Sequence, residues 1–203
     1  MAGCCESDCS LDARQGRQRT TLRWVLGINA VMFVVIVAAA LYGRSSALFA
    51  DSFDNLGDAI TYALSLFAVS RGATMKAKVA LFKGVLILLG ASAVAVQIVY
   101  RLMEPATPIF EVMGAFSLLA LAANSICLGL LWRHRNEDVN MSSVWECSRN
   151  DIATNLSVFV AAGAVWLTSS GWPDLVVALG LVILLFRSGV RVIGSARREL
   201  AIA

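Results

Sequence analysis

A chain of 203 residues that is 58% hydrophobic and only 15% charged, with a mean hydropathy of +0.73, has more apolar surface than a soluble globule of its size can cover. It reads as an all-α membrane protein. The formal net charge of +3, from 17 Lys and Arg against 14 Asp and Glu, is too small to argue for a nucleic-acid partner, and no basic stripe with interleaved aromatics occurs.

A helix needs roughly 20 mostly apolar residues to cross a hydrocarbon core of about 30 Å, and six segments meet that need. The first, Trp24 to Tyr42, has Asn29 as its one strongly polar residue and is too long and uniform for a cleaved signal peptide. The second, about Ala47 to Val69, carries Asp51, Asp54 and Asp58; the third, about Val79 to Tyr100, carries only Lys83 and Gln97. A fourth runs from about Ile109 to Trp132. The fifth, about Met141 to Leu167, starts polar and ends apolar, and the sixth follows Pro173 and Asp174 to about Ile193.

The cations support this division. Arg14, Arg17, Arg19 and Arg23 precede the first segment, Arg71, Lys76, Lys78 and Lys83 follow the second, Arg133 and Arg135 follow the fourth, and Arg187, Arg191, Arg197 and Arg198 lie towards the C-terminus. Only Arg44, Arg101 and Arg149 depart from the alternation. By the positive-inside rule both termini are expected to be cytoplasmic. The expected division is a Cys-containing tail over 1–21, a six-helix domain over 22–194 and a short tail over 195–203.

An ionisable group inside a span costs several kcal/mol unless it is paired or neutralised, so each one is a functional candidate. At 100° per residue, Asp51, Asp54 and Asp58 fall within about 60° of one another and make one acidic stripe. On the fifth segment Cys147 and Asp151 share a face that Asn155 continues, while Arg149 points away and is better placed to pair with Glu146. With a rise of about 1.5 Å per residue, Asp54 and Asp58 on the second segment and Cys147 and Asp151 on the antiparallel fifth all reach the membrane midplane. Three carboxylates and one sulfur then suit a tetrahedral divalent cation. Asp51 lies nearer the outer end, where capping the helix or guiding cations fits better than ligation.

At these residues the chain resembles the membrane domain of the cation diffusion facilitator family, from about Leu22 to Leu200. The second-helix motif A-D-x-x-[HD]-x-x-x-D is matched by Ala50 to Asp58, and the fifth-helix [HD]-x-x-x-D by Cys147 to Asp151. Asn124 matches the Asn of the fourth helix, and Trp172-Pro173-Asp174 the W-x-D turn before the sixth. The resemblance implies a secondary transporter, usually a homodimer, that exports a divalent metal from the cytoplasm in exchange for protons. It implies no resident cofactor, only the transported metal and protons with membrane lipid around them, and we expect the inner (plasma) membrane of a bacterium. Proton exchange also has a physical basis. Clustered carboxylates in a low dielectric repel one another, so the empty site holds protons that a metal displaces.

Two departures matter. Relatives usually place a His on the second or fifth helix, whereas the only His here is His134, in a loop, so the expected site is Asp54, Asp58, Cys147 and Asp151. One thiolate among three carboxylates favours Zn²⁺, then Cd²⁺; an all-oxygen site would lean to Mn²⁺ or Fe²⁺. The chain also ends soon after Gly194, so the family's cytoplasmic C-terminal domain is expected to be missing and any dimer to be held by the spans.

Cys4, Cys5 and Cys9 crowd the N-terminal tail beside Glu6, Asp8 and Asp12. They could capture a thiophilic cation, although the spacing is not that of a zinc finger; a disordered tail or a lipidation site is the alternative. Cys127, on an apolar helix, reads as packing. Two other functions compete with this reading. A six-span phosphatidyltransferase of the CDP-alcohol type needs a D-G-x-x-A-R signature that Asp54 and Asp58 lack, and a metal sensor without transport would keep the same site.

Overall fold

In the computed structural model, the backbone of residues 4–68, 73–133 and 139–202 is described, with side chains except those of 4–15, 65, 67–68, 73–77, 79–80, 83, 139–144, 146–147, 199 and 202. The elements are all helices: α1 (Cys4–Gly43), α2 (Ser46–Ala68), α3 (Ala73–Met103), α4 (Phe110–Trp132), α5 (Val139–Thr168) and α6 (Trp172–Ile202).

Five of the six expected spans are long and apolar enough to cross a membrane: Gly16–Gly43, Gly84–Met103, Phe110–Trp132, Ser148–Thr168 and Trp172–Arg198. Most of each faces outward, with Val31, Val34, Leu89, Val96, Leu118, Val160 and Ile183 among the exposed apolar side chains. Exposed Trp24 and Trp132 mark one end of the bundle and Tyr42, Trp166 and Trp172 the other, as aromatic belts do at the two faces of a bilayer.

The sixth expected span, α2, differs because Asp51, Asp54 and Asp58 interrupt its apolar run. It is also the helix that touches all five others. Its acids therefore face protein, and Asp51 and Asp58 are only 1% and 7% exposed.

Another difference is at the N-terminus, where α1 begins at Cys4 rather than Trp24. Leu11 to Leu22 is rich in Arg, Gln and Leu, which are good helix formers. Propagating an existing helix adds one hydrogen bond per residue, so the helix extends back through the tail, beyond the membrane-spanning part that starts at Gly16. The side chains of Cys4, Cys5 and Cys9 lie outside the described residues.

Three connections meet at one end of the bundle. Ile109 N–H donates to Gly43 O at 2.9 Å, joining the α3–α4 loop to the end of α1. Gly171, in the α5–α6 turn, lies so close to Ala106 O that an added Cβ would stand 2.8 Å from it. The α1–α2 turn is bonded to the start of α6 through Asp174. We call this the turn end; the starts of α1, α3 and α5 and the ends of α2, α4 and α6 lie at the opposite, terminal end.

The main core lies towards the turn end and is built from Ile36 and Ala40 of α1, Leu48 of α2, Val94 of α3, Met113 of α4, Val158 of α5 and Ala178 of α6. A second cluster of Leu22, Val25, Tyr62, Cys127 and Leu131 fills the terminal half. Small residues set the closest helix approach. A Cβ on Gly84 of α3 would stand 2.5 Å from Ile193 Cγ1 and 3.2 Å from Gly189 O of α6, so these two helices meet backbone to backbone.

Candidate metal centre

The acidic stripe of α2 faces α5 and α6 across an internal space. Asp54 and Asp58 from α2 and Asp151 from α5 line one cavity of about 690 Å³, with Asn150, Thr154 and Ser157 adding neutral oxygens along α5. Ile87 of α3 and Leu181 and Leu185 of α6 form its apolar wall, and Arg187 and Arg191, one turn apart on α6, line it on the side of the terminal end. The i,i+4 spacing of Asp54 and Asp58 is what turns both carboxylates to the same side of the helix.

Asp58 is held from within its own helix. Tyr62, one turn further on and fully buried, donates its Oη hydrogen to Asp58 Oδ2 at 2.7 Å. Asp58, Asp151 and Cys127 all lie within electrostatic reach of the Tyr62 hydroxyl, just as Asp51 and Asp58 lie within reach of Asp54. Extending the Asp54–Asp58 stripe by one more turn would have picked out Tyr62 from the sequence.

Asp51 belongs to the same stripe but is buried outside the cavity wall. Its backbone carbonyl accepts Asn55 Nδ2 at 3.2 Å, and its Oδ2 is buried without a hydrogen-bond partner. On α5, Asn155 is fully buried one turn beyond Asp151, with both amide atoms unsatisfied. Asn124 of α4 is likewise buried, and Asn29 of α1 donates to Val25 O at 3.0 Å and to Cys127 Sγ at 3.7 Å. Cys127 is thus a buried free thiol in an apolar cluster, in keeping with a packing role.

The structure brings three of the four expected ligands to one cavity. Cys147 stands one helical turn before Asp151 on α5, but its side chain, like that of Glu146, lies outside the described residues. Arg149, expected to pair with Glu146, has its guanidinium over the Trp145 ring, 5.4 Å from the centroid. Among the described residues no group of three or more His, Cys, Asp or Glu is close enough to hold one ion. The three carboxylates therefore share a cavity and not a closed coordination sphere.

Asp174 has no place in the cavity. It accepts hydrogen bonds from Ser45 Oγ at 2.6 Å, Ser46 N–H at 2.8 Å and Ala47 N–H at 3.0 Å. These include backbone donors of the first turn of α2, which a helix cannot satisfy internally. The carboxylate caps α2 from another helix and so fixes the start of the helix that carries Asp54 and Asp58.

The transmembrane domain of the cation efflux family matches residues 22–201. The chain belongs to the cation efflux family. Members of that family carry metal cations across membranes and are transporters, not enzymes, which removes the phosphatidyltransferase reading. Comparison with curated proteins gave no match. As a cation efflux protein the chain is a multi-pass membrane protein, and a carboxylate-lined cavity among its helices is the natural place to look for its cargo.

Proposed function

We propose that this cation efflux protein exports a divalent metal, Zn²⁺ first and Cd²⁺ next, from the cytoplasm in exchange for protons, using Asp54, Asp58, Cys147 and Asp151 as its site. The observation that carries the reading is the convergence of Asp54 and Asp58 of α2 with Asp151 of α5 on one cavity. A dication suits that cluster better than a monocation because several carboxylates in one low-dielectric space must be neutralised together. The cation is written here as cargo, and closing α2 against α5 is the movement that would gather the carboxylates around it.

Charge balance supports the exchange. When the metal leaves, the carboxylates need other positive charge, and protons are the only cations small enough to supply it at each oxygen. The cations around the terminal end, among them Arg17, Arg19, Arg23, Arg133, Arg197 and Arg198, support placing that end and both termini in the cytoplasm. The cavity, which extends towards Arg187 and Arg191, then faces the compartment from which the metal is taken. A homodimer held by the spans, in a bacterial plasma membrane, completes the reading.

The test is Zn²⁺ flux driven by a pH gradient in proteoliposomes. Wild-type protein is expected to carry Zn²⁺ against protons, and Asp58→Asn and Asp151→Asn are expected to abolish the flux. Undiminished flux in both variants would place the site elsewhere.

A further inference from the structure

Tyr62 is an expensive residue to bury. Its side chain is fully enclosed by the cluster of Leu22, Val25, Cys127 and Leu131, where a phenylalanine would fill nearly the same volume with no polar atom to satisfy. A buried hydroxyl without a partner costs free energy, so the hydroxyl here needs an acceptor, and the acceptor is Asp58 Oδ2 at 2.7 Å. Both residues stand on α2 one turn apart, so the bond does not depend on how the other helices are arranged.

We propose that Tyr62 is a positioning residue that fixes Asp58 as a one-oxygen ligand and so biases the cavity towards small four-coordinate cations. The inference rests on the reading of Asp58 as part of the transport site. Asp58 lines the cavity while one lone pair of its Oδ2 is taken by the Tyr62 hydrogen, which leaves Oδ1 as the more strongly donating and less crowded oxygen. A tetrahedral cation such as Zn²⁺ takes one atom from each ligand, a carboxylate oxygen at about 2.0–2.2 Å, and loses nothing by this. Mn²⁺ and Ca²⁺ bind larger oxygen shells and gain when a carboxylate gives both oxygens. Tyr62 weakens and crowds the second oxygen and thereby discriminates without touching the cargo.

The experiment compares Zn²⁺ and Mn²⁺ flux in the same proteoliposomes for the wild type and Tyr62→Phe. The ratio of Zn²⁺ to Mn²⁺ flux is expected to fall about tenfold in the variant, the size of one hydrogen bond to a charged group. A loss of folded protein lowers both fluxes together and leaves the ratio alone, so the ratio reports the proposed role. An unchanged ratio overturns the inference while leaving the transport reading intact. Wild-type protein that carries neither ion overturns both. Infrared difference spectra of the wild type on adding Zn²⁺ give a second test that needs no folded Tyr62 variant. A one-oxygen carboxylate signature that disappears in Asp58→Asn is expected, and a two-oxygen signature assigned to Asp58 overturns the inference.

Discussion

Ser45 Oγ donates to Asp174 Oδ1 at 2.6 Å, a bond that joins the start of α2 to the start of α6 across 129 positions of sequence. The same carboxylate takes two backbone N–H groups of α2 while Ser45 Oγ accepts a third, from Leu48 at 3.0 Å, so the cap of α2 is shared between a local serine and an acid of α6. Asp174→Ala would leave these donors unpaired inside the protein. It is expected to cost about 2 kcal/mol or more, read as a lowered thermal midpoint in detergent. Asp174→Asn, which keeps an acceptor oxygen, should fall between the two.

The α3–α6 contact gives a second stability prediction. Gly84→Ala puts a methyl group 2.5 Å from Ile193 Cγ1, but also 3.2 Å from Ile193 N and Gly189 O, which are backbone atoms. Overpacking of this kind costs about 1–3 kcal/mol. Adding Ile193→Ala is expected to restore only part of the loss, because it removes the side-chain clash and leaves the backbone crowding. A double-mutant cycle on thermal midpoints measures the fraction recovered.

Metal preference is expected to depend on Cys147. Cys147→Ala should lower Zn²⁺ and Cd²⁺ flux relative to Mn²⁺, and Cys147→His should keep Zn²⁺ while weakening Cd²⁺, because thiolate is the softer ligand. Flux of Zn²⁺, Cd²⁺, Co²⁺, Mn²⁺ and Fe²⁺ measured side by side decides it. An unaltered order in Cys147→Ala would show that the sulfur plays no part in selection.

Protons and metal are expected to compete for the same oxygens. Adding Zn²⁺ to weakly buffered protein should release protons, and apparent Zn²⁺ affinity should weaken as pH falls, since protonated carboxylates must lose their protons before they bind. Calorimetry in buffers of different ionisation enthalpy counts the protons. Asp51→Asn, outside the cavity wall, is expected to leave that count unchanged, whereas Asp58→Asn should reduce it.

Much of the bundle could be read from the sequence because the signals are local. A helix repeats every 3.6 residues, so the 54/58 and 147/151 spacings announce shared faces without any knowledge of packing. Hydropathy likewise announces where five of the helices cross. Other features are non-local and had no such signal. The W-x-D turn was visible as a motif, but nothing in Trp172 to Asp174 says that its acid caps a helix more than a hundred residues earlier. In the sequence Arg187 and Arg191 are only markers of topology, and folding also makes them part of the cavity wall. The reach of α1 back to Cys4 lies beyond the membrane criterion, which stops at the first polar turn, whereas helix propensity does not.

A helix in lipid must spend its outer face on hydrocarbon, which fixes much of its composition before function has any say. α2 is largely released from that demand because it packs against all five other helices and most of its side chains are buried or half-buried. Its 23 residues can therefore hold three acids, an amide and a phenol without breaching the membrane barrier. A search for apolar membrane-length segments passes over the helix that carries most of the chemistry of this protein, and in a bundle of this kind the helix that fails that criterion is the first to mutate.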